Sequence, residues 1–280
     1  MRTESSYPRR IGFSIALYAV LITASLMVLA PLFWVVSAAF KPSGEIFSYP
    51  PTFLPQAPTL DNFSRLFTEM PIFRYLINST FIATSHTLLT LFFATLGGFA
   101  FAKYRFKGRN LLFAILLGSM MIPFHIILVP LFELLYRIGW LDTYQGVVIP
   151  FASGAFGIFL MRQFIISIPS DLIDAARIDG SSEFGIYWRV ILPTIKPAMG
   201  ALTIFAFMAA WNEFLWPIIV LRDTAKYTLP LGLASLVGVY REEYGMLMAG
   251  TLLSIVPIIT LFLAMQREFV QGITLGAVKE

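Results

Sequence analysis

IGFSIALYAVLITASLMVLAPLFWVV, residues 11–36, contains no Asp, Glu, Lys, Arg or His. A helix needs about 20 such residues to cross a hydrocarbon core about 30 Å thick. The run follows Arg9 and Arg10 and ends near Ser37, Ala38 and Ala39, which gives it the outline of a signal peptide. It is too long for one, because the apolar part of a signal covers about 7–15 residues. Similar runs cover Leu76–Ala102, Leu111–Leu131, Gly146–Met161, Ala198–Leu221 and Gly245–Met265. The run from Gly146 is interrupted by Pro150, Gly154 and Gly157, residues a span tolerates when neighbouring helices satisfy its backbone. The expected fold is all-α: a polytopic membrane protein of six spans, forming a single transmembrane domain over residues 1–280.

Composition agrees with the runs. Hydrophobic residues make up 58% of the chain and charged residues 13%, against about 25% charged in an ordinary soluble domain. Cysteine is absent, which excludes disulfides, thiolate metal sites and cysteine nucleophiles. Orientation follows from the cations. The short loop Lys103–Arg109 carries Lys103, Arg105, Lys107 and Arg109 without an anion, so the positive-inside rule places it in the cytoplasm. Alternation then places both termini and the segment between spans four and five on the same side. That side holds 13 of the 20 Lys and Arg residues. The opposite loop Lys41–Pro71 carries Pro42, Pro50, Pro51, Pro55, Pro58 and Pro71, and reads as an extended, ordered cover without regular helix.

The segment of about 162–197 is amphipathic, with balanced charge from Arg162, Asp171, Asp174, Arg177, Asp179, Glu183, Arg189 and Lys196. Ser170 is expected to cap a helix whose first turn holds Asp171 and Asp174, both favoured by the helix dipole. Leu172, Ala175, Ala176 and Asp179 recur at helical spacing, and Gly180 supplies the stop. A second helix starts at Ser181 or Ser182, with Glu183 in its first turn, and runs to Leu192 before Pro193 and Pro197 end it. An amphipathic helix lying on the bilayer surface would share this pattern.

These residues resemble the cytoplasmic EAA loop of binding-protein-dependent ABC importer permeases, whose pattern is roughly E-A-A-x-x-D-G-A, an aromatic, then L-P-x-x-x-P. Here Asp174, Ala175, Ala176, Asp179, Gly180, Ser181, Phe184, Leu192, Pro193 and Pro197 stand at those positions, with Asp174 for glutamate and Ser181 for alanine. The resemblance covers essentially the whole chain and is closest to the maltose-permease-like second permease of carbohydrate importers. It includes Phe40, Lys41 and Pro42, Asn78 and Ser79, and the ending Phe269–Lys279. It implies that Asp174, Ala175, Ala176, Asp179, Gly180, Ser181, Phe184 and Pro193 form the coupling helices that dock on an ATP-binding subunit. It also implies a C-terminal tail, with Gly272, Thr274 and Gly276, that reaches the ATPase interface. The implied setting is the prokaryotic inner membrane. The implied partners are a second homologous permease, two ATP-binding subunits and an extracytoplasmic solute-binding protein, with a sugar or related polar solute as cargo and no nucleic acid.

No lysine is preceded by glycine, so the chain lacks a phosphate-cradling G-x-x-x-x-G-K-[ST] loop. ATP and Mg would therefore sit on the partner ATPase subunits, and no cofactor on this chain. Metalloprotease and nucleophile-elbow motifs are missing, as are the inverted repeats and multiple intramembrane carboxylates of an ion-coupled transporter. The transport subunit is read as no enzyme. Trp211, Asn212 and Glu213 in span five are candidates for the solute pathway, because an aromatic stacks on an apolar sugar face while an amide and a carboxylate take its hydroxyls. Trp211 and Trp216 fit an interfacial aromatic belt equally well, with Glu213 paired to a partner. His86 and His125 are weaker candidates for solute contact. Arg222, Asp223, Lys226, Arg241, Glu242 and Glu243 form a loop that either meets a solute receptor or is a solvated connector. Monosaccharide, oligosaccharide and glycerol-phosphate importers all share these motifs.

Overall fold

The computed structural model describes residues 7–238 and 241–275. Helix α1 (Tyr7–Ala39) realises the first apolar run as one continuous helix. Short helices α2 (Ser43–Ile46) and α3 (Asp61–Glu69) follow. Helix α3 corrects the expectation of a helix-free loop: Pro58 and Pro71 flank it, and no proline falls inside it to remove a backbone donor. Helix α4 (Ile72–Lys103) carries the second run without a break.

The third run is not one straight span. It divides into α5 (Arg109–Ser119) and α6 (Phe124–Arg137), which meet at 99°. Pro123 has no amide hydrogen to continue the ladder, and it pushes the residue before it out of the helical region. The fourth run is broken too. Helix α7 (Tyr144–Val148) passes into a 3₁₀ turn at Ile149–Phe151, and α8 (Ala155–Ile166) starts after Gly154 at a 43° bend.

Next come α9 (Ser170–Ile178), α10 (Glu183–Ile186), a π-helical turn at Tyr187–Ile191, α11 (Leu192–Thr194) and α12 (Lys196–Asn212). Two local expectations are corrected here. Ser170 is the first residue of α9 and makes no cap, because Pro169 occupies the N-cap in an extended conformation. Pro193 and Pro197 begin α11 and α12 instead of ending a helix, since a missing amide hydrogen costs nothing in a first turn. The chain then breaks at Glu213 and Phe214 before α13 (Leu215–Val220), α14 (Leu229–Ala234), a two-residue antiparallel ladder of Val237–Gly238 with Arg241–Glu242, and the long α15 (Tyr244–Leu275). The three long helices α1, α4 and α15 and three bent pairs, the third joining Glu183–Thr194 to α12 at 79°, make up to six crossings.

Two compact units divide these elements. The first joins residues up to Met70 with Leu233–Ile255. In it Lys41 is wholly buried, its ammonium 4.5 Å from the centroid of the Trp34 ring and donating to the Thr52 carbonyl. Asn62 donates to the carbonyls of Ala39 and Lys41 at 2.9 and 2.7 Å, closing the end of α1. Arg65 pairs with Glu243 at 2.8 Å.

The second unit runs from Pro71 to Gly232 and resumes at Val256. Its backbone is the crossing of α4 on α8. Gly98 sits so close to α8 that a Cβ there would lie 2.6 Å from Met161 Cβ, and Gly157 returns the arrangement against Ala94. Small residues let two membrane helices approach this closely where apolar burial offers no drive between them. A core of Ala94, Phe99, Met161, Ile165, Ile186, Tyr187, Ile191 and Leu202 grows from that crossing.

Candidate functional site

Helix α9 has nine residues, too few to persist in water unaided. Tertiary packing holds it. Ile173 is buried in the second unit's core with Ile186, Ile191 and Ile195, and a fully buried aliphatic side chain of this size contributes about 1.5–3 kcal/mol. Tyr187 fastens the π turn to α4, with its hydroxyl 2.7 Å from Thr95 Oγ1 and its ring stacked on Phe99. Between α9 and α10 the chain reverses at Gly180, whose φ of +79° suits glycine. Among the described residues, no atom beyond the two chain neighbours lies within 4 Å of the missing Cβ, so the requirement at Gly180 is conformational. Ser182 caps α10, its Oγ accepting from the Gly185 amide at 3.1 Å.

A polar brace fixes the outer side of this segment. Arg177 donates to Asp174 at 3.0 Å and to both oxygens of Glu183 at 2.8 and 3.3 Å. Tyr104, just beyond α4, donates its hydroxyl to Glu183 Oε2. Lys103 donates to the Ile168 carbonyl and so ties the same loop to the end of α8. Arg177 and the Tyr104 hydroxyl hold the Glu183 carboxyl below its ordinary range. Burial, and then the bond to Glu183, push the Tyr104 phenol up to about 12. Arg177 is raised by Glu183.

The segment's outward face mixes apolar side chains with charged ones. Ile178 is 86% exposed and Phe184 71%, with Leu172, Ala175 and Trp188 also exposed. Asp174, Asp179, Gly180 and Pro193 lie at the surface, while Ala176 and Ser181 are half-buried. Sequence reading missed Ile178, Trp188 and the Tyr104 link. Ile178 falls inside the motif and its exposure had no local signal, whereas the i,i+3 spacing of Asp174 and Arg177 was a local signal for their pair that went unread.

The candidates in span five separate. Trp211 is buried, its ring stacked 5.6 Å from Phe207. Asn212 is exposed and donates to the Met208 carbonyl at 2.9 Å. Glu213 occupies the break before α13 and accepts from the Trp216 amide at 3.1 Å. It lines a cavity of about 320 Å³ together with Ile82, His86, Phe124, Phe151 and Trp216. Trp216, buried, donates its indole hydrogen to the Gly146 carbonyl at 3.0 Å. His125 is exposed and does not line the cavity. Gly272 is buried, and its close approach is to the Pro197 carbonyl and Ala201 of its own α12. Thr274 lies within α15, and Gly276 lies outside the described residues.

In the loop after α13, Lys226 pairs with Asp142 at 2.7 Å, and the Asp142 carboxylate accepts from the amides of Arg222 and Asp223. Lys226, with those amides, holds the Asp142 carboxyl down to about 2. No group of three or more His, Asp or Glu residues suited to a metal occurs among the described residues.

Long apolar helices, bent helical pairs and one braced amphipathic segment define a multi-pass α-helical membrane protein. The chain belongs to the family of binding-protein-dependent transport system inner membrane components, whose model matches residues 92–274. It is 40% identical over 270 residues to the arabinooligosaccharides transport system permease protein AraQ of Bacillus subtilis (strain 168), covering 95% of this chain and 96% of that one. It is 35% identical to the lactose transport system permease protein LacG of Rhizobium radiobacter, over 94% and 95% of the two chains. A solved bacterial ABC transporter involved in import of the acidic polysaccharide alginate superposes with a TM-score of 0.82 at 25% identity, over 96% of this chain and all of that one. The relatives are named as permeases, and this chain is a transport subunit of the inner membrane, not an enzyme.

Proposed function

We propose that this chain is one of two homologous permease subunits of an ATP-driven importer for a sugar or a similarly polar solute. Its relatives are named for arabinooligosaccharides and lactose, which supports the sugar class. In this reading both termini face the cytoplasm, two ATP-binding subunits carry ATP and Mg, and an extracytoplasmic binding protein delivers the solute.

The observation that carries the reading is the segment Ser170–Ile195. Its inner face is locked into the core through Ile173, Ile186 and Ile191, while Ala175, Ile178 and Phe184 stand exposed on short helices. Exposed apolar side chains of this kind mark a contact with protein or membrane, and the resemblance to the EAA loop favours protein. Closure of the ATP-binding subunits against Asp174–Ser181 and Phe184 would then be passed to α4 and α8, which share that core, and would bias the spans between inward-open and outward-open states. The C-terminal residues Thr274 and Gly276 are proposed to reach the same subunits. Glu213 stays a pathway candidate, joined by His86.

The test is to purify the tagged chain after expression with its genomic neighbours, and to measure sugar uptake with ATP depleted and ion gradients intact. An ATPase should co-purify and uptake should stop. A preparation without any ATPase, or uptake that persists on the gradient, overturns the reading.

A further inference from the structure

The cavity beside Glu213 lies where two spans are interrupted. Phe151 ends the 3₁₀ turn ahead of the break at 152–154, and Glu213 stands in the break between α12 and α13. Non-helical backbone at membrane depth is tolerated where it is buried in protein or lines a water-filled space, and paired broken helices mark solute sites in other transporter folds. A second observation is independent of the backbone. The His86 imidazole lines the cavity from α4, on a helix that carries neither break.

The lining limits the occupant. Phe124, Phe151 and Trp216 pack edge to face, with centroids 5.4–6.0 Å apart. Against these rings stand the His86 imidazole on α4 and the Glu213 carboxylate. A lipid chain would satisfy the rings and strand both polar groups, a costly arrangement inside a bilayer. A saccharide ring satisfies both sets, because its C–H face lies on aromatic carbon while its hydroxyls reach the polar groups. The volume of about 320 Å³ is at the lower end of the usual range for ligand pockets, about 300–1,000 Å³, and suits one ring better than an extended chain.

We infer that this cavity is a solute-contact site for a single saccharide ring, seated on Trp216 and Phe151 with its hydroxyls on the His86 imidazole and the Glu213 carboxylate. The inference rests on the importer reading above and deepens it, since it assigns direct solute contact to this subunit.

The chain has no cysteine, so Ala209→Cys, at an exposed position lining the cavity, gives it a unique thiol. The variant is assembled into the complete transporter in membrane vesicles and treated with a charged methanethiosulfonate reagent. Labelling of this chain is followed with and without arabinotriose or lactose and the loaded binding protein. The expected result is labelling by the charged reagent that slows at least fivefold with the sugar that is taken up.

Labelling unaffected by that sugar, in a transporter that imports it normally, overturns the site and leaves the importer reading intact. Reaction with a lipid-soluble maleimide alone identifies a lipid-filled pocket and also overturns the site. Failure of the unsubstituted complex to import any of a panel of mono- and oligosaccharides overturns the sugar-importer reading, and the site falls with it.

Discussion

Gly97 and Gly98 are neighbours on α4, and replacing each with alanine should have opposite consequences. At Gly98 the new Cβ would lie 2.6 Å from Met161 Cβ and 2.9 Å from the Arg162 amide nitrogen, whereas ordinary contact begins at 3.4 Å. The atoms in the way belong to the backbone and Cβ of α8, so the helix itself must retreat by about 0.8 Å, and overpacking of this kind costs about 1–3 kcal/mol. At Gly97 the neighbours are side-chain carbons of Ile158 at 3.2–3.3 Å, which a small rotation moves aside. Alanine's helix preference over glycine, about 1 kcal/mol, favours both variants equally and cancels in the comparison. Gly98→Ala should therefore be about 1–3 kcal/mol less stable than Gly97→Ala. With about 2–4 °C per kcal/mol for chains of this order, its Tm should lie about 2–12 °C lower. The assay is thermal unfolding of both purified variants in one detergent, followed by tryptophan fluorescence. Equal midpoints, or a higher midpoint for Gly98→Ala, would refute the close α4–α8 crossing and with it the path proposed from the coupling segment to the spans.

Tyr104→Phe removes the hydroxyl from Glu183 and keeps the ring on Phe99. A hydrogen bond to a charged group is worth about 1.5–3 kcal/mol when dry, but Glu183 is half exposed and screening leaves about 0.5–1. Sugar taken up per ATP hydrolysed should fall about two- to fivefold while the Tm falls by only about 1–4 °C, and an unaltered ratio contradicts the brace. Asp142 has a folded pKa lowered to about 2 from 3.8, so its contribution is present above about pH 4 and is lost as pH falls toward 2. Asp142→Asn should show at neutral pH the faster proteolysis of the 221–227 loop that the parent shows only near pH 2, and parental resistance at neutral pH refutes the clasp. Gly180→Arg should insert normally but lose the ATPase on purification. Gly180→Ala, which bears the same left-handed penalty of about 1–2 kcal/mol without the bulk, should keep it, and equal behaviour of the two variants contradicts a docking role.

Hydropathy exposed the spans because crossing a bilayer is a property of consecutive residues, and residues 11–36 needed no partner to be read. Gly180 was legible for a similar reason, as a turn announces itself locally. The breaks were harder. Pro123 was visible in the sequence, yet whether it kinks a helix or turns it through 99° depends on what packs around it. The two tryptophans of span five show the same limit. Trp211 and Trp216 are five residues apart, and the interruption at Glu213 and Phe214 decides that Trp216 lines the cavity while Trp211 packs on Phe207. The bond from Tyr104 to Glu183 joins residues 79 apart and had no local signature. The close approach of Gly272 to Pro197 and Ala201 joins residues far apart in the chain and had no local signature either.

The central claim is that Ser170–Ile195 is the surface on which the motor acts. Phe184→Cys gives this cysteine-free chain one thiol, at a side chain that is 71% exposed on that surface. In membranes containing the assembled transporter, a short thiol-to-amine cross-linker applied from the cytoplasmic side should join this chain to an ATP-binding subunit, with a yield that changes when ATP is added. Sugar import at the normal rate with no such product from Phe184→Cys, or from Ile178→Cys beside it, would contradict the account.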